Sequence, residues 1–264
     1  MPLVFAGLAP HSPLLIPAIG GDNLNQLSQT QNGYLELEKE FYASSPETII
    51  IISPHGEIRP DSFSLPHAPK LLATFTEFGD PATRLEFEHD LVLASSIKEL
   101  GEKTNNIFLS SVETLDYGAG VPLFYLTKHL KPKVIVISHS GLDRQSHFAL
   151  GTLLKTIITR SPQRIAFLAS GDLSHRLSEE SPAGFNANGQ IFDETIINII
   201  KEKRLKDLLI MEKQLLLDAG SDECGYRSLL VLAGLLDGIN YQSEILSYEK
   251  PFGIGYLTAN FILS

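Results

Sequence analysis

The sequence contains only one cysteine, Cys224, among its 264 residues. A single cysteine excludes an intramolecular disulfide, and a disulfide-free chain fits the reducing cytoplasm. No apolar run approaches the roughly 18 residues that a membrane-spanning helix needs. The apolar start of the chain lacks a basic segment before it and runs directly into the Pro10-His11 turn, unlike a signal peptide. We therefore expect a cytoplasmic protein that has no membrane partner.

Basic residues are also in short supply, with 21 Lys and Arg against 31 Asp and Glu and a formal net charge of −10. A chain of this charge repels nucleic acid and anionic lipid unless it carries a local basic patch. The densest basic stretch, residues 201–206, follows the apolar Ile197 and Ile200 and is typical of the solvated face of a helix. We expect no nucleic-acid partner.

Three catalytic signatures are missing from the sequence: the Walker-type phosphate loop, the Gly-x-Gly-x-x-Gly turn and the Gly-x-Ser-x-Gly nucleophile elbow. Their absence argues against nucleotide-driven and serine-hydrolase chemistry. The sequence also lacks a linker-like segment and a fixed-period repeat. The simplest interpretation is one domain over residues 1–264, which is a length that a single α/β domain can have.

Short apolar runs predict buried strands, because they are aliphatic at nearly every residue instead of alternating with polar residues. Four such runs are Leu3–Leu8, Thr48–Ile52, Val134–Ile137 and Ile165–Ala169, and two later strands are Ser243–Tyr248 and Ile254–Leu263. Amphipathic stretches predict helices over Asn23–Ser44, His89–Gly101, His147–Thr159, Asn188–Asp218 and Asp222–Leu236. The pattern favours an α/β fold with a largely parallel central sheet flanked by helices.

A polar turn with a histidine follows each of the first four runs. These histidines are His11, His55, His139 and His175. Ligands of open α/β sheets bind outside the carboxyl ends of the strands, so parallel strands would bring these rings to one edge. Independent core or surface histidines would have no reason to share this position. We interpret His11 and His55 as ligands of one divalent metal ion; the alternative is that each ring only satisfies its own turn.

The other two histidines carry different interpretations. His175 lies three residues after Asp172, whose carboxylate could accept the ring N–H and fix the tautomer of a general acid–base. Alternatively, Asp172 or Ser174 caps a helix. His139 fits either a pocket wall or a helix start. The remaining histidines are interpreted as structural, namely His67, His89, His129 and His147.

The third metal ligand is sought where a leucine-rich helix begins, at Glu223 and Cys224. Two histidines and the Glu223 carboxylate would form the facial triad that suits non-haem Fe(II). Two histidines and a Cys224 thiolate would favour Zn(II) instead. Acidic residues are also common in a first helical turn because they interact favourably with the helix dipole. We predict Glu223 as the third ligand, with Cys224 as the alternative.

Several motifs stand in a familiar order along the chain: Ala9–Pro13, Ile52–Gly56, Leu115–Gly118 with Val121–Leu123, and Ser170–His175. Together they resemble the class III extradiol ring-cleavage dioxygenases, the superfamily of the protocatechuate 4,5-dioxygenase catalytic subunit. The segments Cys224–Tyr226 and Gly253–Tyr256 resemble the related Memo-like proteins. The resemblance spans nearly the whole chain.

The resemblance implies that His11, His55 and Glu223 hold Fe(II), with Zn(II) as the alternative metal and Cys224 in the ligand position of the Memo-like branch. It implies that His175 acts as acid and base on a catecholic substrate that reacts with O2. Asp172 and Tyr117 complete the catalytic set. It also implies a homo-oligomer, because members of the family are often dimers or larger.

Tyr117 departs from the family pattern, because many of these enzymes have a histidine at that position. A phenol with an ordinary pKa of about 10 is a poor proton shuttle near neutral pH. The departure keeps two alternatives open. One is a Memo-like metal-binding protein with a regulatory or partner-binding role and no ring cleavage, and the other is a zinc-assisted hydrolase.

Overall fold

The computed structural model describes residues 2–102, 106–221 and 224–264. Within these residues the chain forms eleven strands, which are β1 (Leu3–Ala9), β2 (Thr48–Ser53), β3 (Phe63–Pro66), β4 (Lys70–Phe75), β5 (Asp80–Glu88), β6 (Ile107–Ser110), β7 (Thr114–Leu115), β8 (Lys133–Ser138), β9 (Ile165–Ser170), β10 (Tyr241–Glu249) and β11 (Tyr256–Leu263). The same residues form eight α-helices, which are α1 (Pro17–Gly20), α2 (Ser28–Ser44), α3 (Leu91–Gly101), α4 (Tyr117–Leu126), α5 (Arg144–Arg160), α6 (Ala187–Lys201), α7 (Lys213–Ala219) and α8 (Gly225–Leu236).

A large central sheet organises the molecule. Its strand order is β10-β11-β1-β9-β2-β8-β3-β6, and a small second sheet has the order β5-β4-β7. The four strands β1, β9, β2 and β8 are neighbours and run parallel. Strands β11 and β10 add antiparallel at one edge, and β3 pairs antiparallel with β8 at the other side. The prediction of an α/β fold with a largely parallel sheet is confirmed.

Both faces of the sheet are covered, which explains the unbroken apolar runs. Every residue of β2 is buried, and successive isoleucines point to opposite layers. Ile50 and Ile52 pack in one core with residues of α3, α5, α6 and α8. Ile49 and Ile51 pack in the other core with residues of α2, α4 and the small sheet. A strand buried on both sides needs an apolar residue at each position.

The four predicted central strands and the two C-terminal strands all form, but one predicted helix is wrong. The stretch Asn188–Asp218 is divided into α6, a 3-10 segment over Leu205–Ile210, and α7. Lys203 has a φ of 58°, a left-handed conformation that ends the first helix. The apolar periodicity persisted across the break because each piece buries a face against the same core. Of the predicted helix Asp222–Leu236, Asp222 lies outside the described residues and α8 begins at Gly225.

Helix α4 and strands β3 to β7 were not predicted. Nearly every residue of α4 is buried, so its sequence lacks the polar face on which amphipathic periodicity depends. Strand β5 lies in the small sheet and has partly exposed residues throughout its middle. In the described part of the chain, no helix is both long and apolar enough to cross a membrane.

Candidate metal centre

His11 and His55 meet at the carboxyl edge of the central sheet. His11 follows β1 and His55 follows β2, and these strands lie on either side of β9. The two Nε2 atoms are 2.9 Å apart, and the rings are nearly perpendicular. The expectation that turns after separate parallel strands share one edge is therefore confirmed for this pair.

Ser170, the last residue of β9, fixes the tautomer of His11. Its hydroxyl donates to the carbonyl oxygen of Gly118. With its single hydrogen used there, Ser170 Oγ can only accept from His11 Nδ1, which lies 3.0 Å away. The proton on Nδ1 leaves the Nε2 lone pair directed at His55, as a metal ligand requires. Sequence reasoning missed this role, although Ser170 ends the central strand and stands inside the Ser170–His175 motif.

Cys224 supplies the third converging donor among the described residues. Its Sγ lies 3.6 Å from His11 Nε2 and accepts the backbone N–H of Asp172 at 3.4 Å. His11, His55 and Cys224 each offer one ligand atom, and these atoms all lie within 4.8 Å of one another. Glu223, the predicted third ligand, lies outside the described residues.

Two glycines allow Cys224 to reach the site. The turn after β9 and the start of α8 touch backbone to backbone, and the amide of Gly225 donates to the carbonyl of Asp172 at 3.1 Å. A Cβ on Gly225 would lie 2.3 Å from that carbonyl oxygen, and a Cβ on Gly171 would lie 2.1 Å from Gly225 Cα. Any side chain at these positions would separate the two segments and withdraw the thiol.

Asp172 and His175 lie beside the three donors, in an arrangement that differs from the expected one. Asp172 Oδ1 accepts the backbone N–H of His11 at 3.0 Å, and Oδ2 lies 3.7 Å from His11 Nε2. His175 Nδ1 is buried and has no hydrogen-bond partner among the described residues. Asp172, His175 and Cys224 still form a second group whose ligand atoms lie within 4.8 Å of one another. The carboxylate therefore orients the His11 turn, and the His175 ring is not fixed by it.

The helix-cap alternative for Asp172 and Ser174 is wrong. The next helix, α6, begins at Ala187 and is capped by Asn186. The chain leaves β9 as an extended segment, because the amide of Leu173 donates to the carbonyl of Gly255 at 2.8 Å. Asp172 accepts instead from the amide of another strand's turn.

Tyr117 forms one wall of the site. Its ring stacks on His55 with centroids 4.3 Å apart and meets the His11 ring edge-on at 5.7 Å. Asp116 holds this position by capping α4, and Ser53 donates to the Asp116 carboxylate. Burial raises the pKa of Tyr117 well above its ordinary value, so the phenol is a hydrogen-bond donor and not a base at neutral pH.

The other histidines do not join the described cluster. The His139 ring is buried and lies 6.2 Å from the ring of His147. His147 and His89 each place Nδ1 2.9 Å from a backbone carbonyl oxygen, which fits the structural interpretation of both. His67 and His129 are exposed.

The electrostatics of the site fit a divalent cation. Burial, followed by the neighbouring His175, lowers the pKa of His11 to about 3, and burial with His11 lowers that of His55 to about 3. Both imidazoles are therefore neutral at physiological pH, the form that binds metals. Burial raises the pKa of Asp172 to about 6 and that of the Cys224 thiol well above its ordinary value. A bound cation would offset the cost of ionising these acids, so the donor set fits a metal ion.

The two lowered pKa values predict how the metal-free protein responds to acid. Between pH values of about 3 and 6.5 these two histidines bind protons in the unfolded chain but not in the folded one, so their contribution to stability falls as the pH falls. Replacing His11 by glutamine should remove part of this dependence, up to about 2 kcal/mol between about pH 7 and pH 5. Urea unfolding of metal-free wild type and variant at both pH values measures the difference. The same change at the exposed His129 is the control for the substitution itself, and equal slopes for wild type and His11→Gln would contradict the prediction.

The comparisons with known proteins assign the chain to a family. Residues 6–259 match the model of the catalytic LigB subunit of aromatic ring-opening dioxygenase. The chain belongs to this family. LigB dioxygenases are metal-dependent, and the cluster of His11, His55 and Cys224 is a possible metal-binding group in this LigB-family chain.

Two similar proteins each align with almost all of this chain, but only one of them is of similar length. Protein CA_C1420 of Clostridium acetobutylicum is 34% identical over 261 residues, which is 94% of this chain and 55% of that protein. The chain therefore spans about half the length of this relative. The 3,4-dihydroxyphenylacetate 2,3-dioxygenase of Escherichia coli is 24% identical over 276 residues, covering 95% of this chain and 96% of the enzyme.

A solved structure supports the fold. The uncharacterized protein JW3007 from Escherichia coli K12 has a TM-score of 0.70 over 98% of this chain and 99% of its own, at 18% sequence identity. At this identity the likeness concerns the fold alone, and it agrees with the mainly parallel sheet flanked by helices.

Proposed function

We propose that this LigB-family chain is a metal-dependent dioxygenase of the extradiol type, a single metal-binding domain over residues 1–264 that opens a catecholic ring with O2. The observation that carries the proposal is the convergence of the His11 and His55 Nε2 atoms, 2.9 Å apart, beside His175. The Escherichia coli relative acts on 3,4-dihydroxyphenylacetate by its name, which supports a catechol as the substrate class.

In this proposal His11 and His55 hold Fe(II), with Glu223 as the third ligand and Cys224 as its alternative. Bound there, Fe(II) supplies a charge that favours the catecholate and a centre at which catechol and O2 are brought together. The Ser170 hydroxyl keeps His11 in the required tautomer. The stacked Tyr117 ring shields His55 from water on one side.

His175 is the proposed acid and base. Its Nδ1 has no described protein partner, so the ring is available to exchange protons with a substrate hydroxyl. Tyr117 stays protonated and can donate a hydrogen bond, while Asp172 holds the His11 turn from the other side. In this proposal His175 transfers protons and Tyr117 donates a hydrogen bond, whereas many extradiol enzymes use two histidines.

The direct test loads anaerobically purified protein with Fe(II) and follows O2 uptake on a panel of catechols. We expect one O2 consumed per catechol, with yellow ring-opened product formed from at least one member. The Zn(II)-loaded protein is the control and should consume none. Absence of uptake on every catechol, with Fe(II) still bound, would reject the dioxygenase proposal.

A second candidate is a Memo-like metal-binding protein with a regulatory or partner-binding role. Two observations favour it: the Cys224 thiol lies 3.6 Å from His11 Nε2, and Tyr117 stands where a catalytic histidine is common. This candidate would be supported if the protein retains Zn(II), if Cys224→Ser binds Zn(II) more weakly than wild type, and if no catechol causes O2 uptake.

We further propose a cytoplasmic location, because the one cysteine is a buried free thiol. We also propose a homo-oligomeric state, which sedimentation would test.

A further inference from the structure

A buried carboxylate lies beneath the turn that carries His175. Asp193 belongs to α6, is fully buried and stands outside the cluster of possible metal ligands. Its Oδ1 accepts the backbone N–H of Ser174 at 2.8 Å. Its Oδ2 accepts the hydroxyl of Tyr248, on β10, also at 2.8 Å. The carboxylate therefore joins a helix and an edge strand to the residue immediately before His175.

The backbone around His175 is held from three directions. The amide of Leu173 and the carbonyl of Ser174 bond to Gly255, with distances of 2.8 and 2.9 Å. The amide of His175 donates to the carbonyl of Ala219 at 3.0 Å. The amide of Ser174 is different, because a charged side chain accepts it instead of a backbone carbonyl. Hydrogen bonds to charged groups are roughly twice as strong as neutral ones.

Gly255 provides the space for this carboxylate. A Cβ at Gly255 would lie 2.0 Å from Asp193 Oδ2 and 3.1 Å from the Leu173 side chain. Because Gly255 has no side chain, the start of β11 can pack directly against Asp193 and the extended segment that carries His175. It also gives a physical reason for glycine within the Gly253–Tyr256 motif.

Burying a carboxylate in this position costs free energy. Burial raises the pKa of Asp193 to about 7, and Glu194 adds to the rise, whereas Ser174, Tyr248 and Lys250 oppose it. Simple packing would be served better by an apolar side chain of similar size. The two donors aimed at the carboxylate indicate that it holds the turn in place. Above a pH of about 7 the group is ionised and this hold is strongest.

We propose that Asp193 is a positioning residue, whose carboxylate fixes the His175 turn through the Ser174 amide and so aims the imidazole at the metal centre. The proposal rests on the acid–base role proposed above for His175. Asp193 is in neither group of possible metal ligands among the described residues, so its removal should disturb the acid–base group without removing the metal.

The experiment compares Asp193→Ala, Asp193→Asn and the adjacent exposed control Glu194→Gln in the full chain at about pH 8. Amide hydrogen exchange of residues 173–177 is measured by mass spectrometry or NMR, with metal content and O2-uptake kinetics on the same samples. For Asp193→Ala we expect exchange in this segment to rise about 10- to 100-fold, the range that follows from losing a hydrogen bond to a charged group. We expect kcat to fall by a similar factor, with KM changed less than about threefold.

The other variants separate positioning from general stability. Asn can still accept from the Ser174 amide and donate to Tyr248, so Asp193→Asn should recover most of the lost protection and turnover. Glu194→Gln should match wild type, and Tyr248→Phe should show a smaller change of the same sign. If Asp193→Ala does not fold, amide exchange of residues 173–177 in Asp193→Asn and Tyr248→Phe still measures how firmly the carboxylate holds the turn.

Several results would overturn the proposal: unchanged exchange at residues 173–177, increased exchange spread over the whole chain, or loss of metal together with turnover. Failure of the proposed function looks different. In that case wild type itself takes up no O2 on any catechol, while the exchange and metal measurements still decide whether Asp193 holds the turn.

Discussion

Replacing His11 by alanine is expected to lower the affinity for the divalent metal by more than about 100-fold. Loss of a partner that only orients a ligand already costs about 10- to 100-fold, and loss of the ligand itself costs more. His55→Ala should behave alike, because the two Nε2 atoms face each other across 2.9 Å. The metal affinity of Ser170→Ala should lie between the affinities of these two variants and that of wild type, because this change frees the His11 tautomer but keeps the ring. Metal per chain by mass spectrometry and chelator competition measure these effects.

His139 offers a matched control for this prediction. It follows the neighbouring parallel strand β8 at the same sheet edge, and its exposed fraction, 1%, equals that of His11. It is absent from both groups of possible ligands found among the described residues. His139→Ala should therefore keep the metal even if it costs stability. Full metal content in His11→Ala and His55→Ala would mean that the centre is elsewhere.

The position of the site could be predicted from the sequence because it follows from the common direction of the buried parallel strands. Unbroken apolar runs identified β1, β2, β8 and β9 as buried parallel strands, and such strands end at one edge. The histidines in the turns after all four strands were therefore expected at that edge, but His139, which follows β8, is in neither group of possible ligands among the described residues. This inference needed no side-chain detail, and it succeeded for His11 and His55 with His175 nearby.

The contacts within the site depend on backbone geometry that periodicity does not encode. Asp172 lies three residues before His175, a spacing that suggested a bond between its carboxylate and the His175 ring, but the carboxylate accepts the His11 amide instead. The alternative of a helix cap fails because the segment is extended. Cys224 reaches the centre because Gly171 and Gly225 allow two backbones to touch. Asp193 lies far from His175 in sequence and gave no signal beyond one acidic residue within an apolar helix face.

Replacing His175 by glutamine is expected to lower kcat for O2-dependent catechol turnover by about 100- to 10,000-fold, the usual contribution of a general acid–base. Metal content should remain at the wild-type level, because the change leaves the proposed ligands His11 and His55, and Glu223 or Cys224, untouched. Glutamine keeps a polar side chain of similar reach but cannot exchange protons near neutral pH. Steady-state O2 uptake with Fe(II)-loaded protein, normalised to bound iron, measures the effect.

Tyr117→Phe is the matched comparison for His175. Phenylalanine keeps the ring that stacks on His55 at 4.3 Å and removes only the hydroxyl. Because burial holds that hydroxyl protonated, its loss removes a hydrogen bond and not a proton carrier, so kcat should fall no more than about 10-fold. A larger loss in Tyr117→Phe than in His175→Gln would reverse the two roles and make the tyrosine the proton-transferring group. Both variants must bind the same amount of metal, because only then does the difference in kcat report proton transfer and not loss of metal.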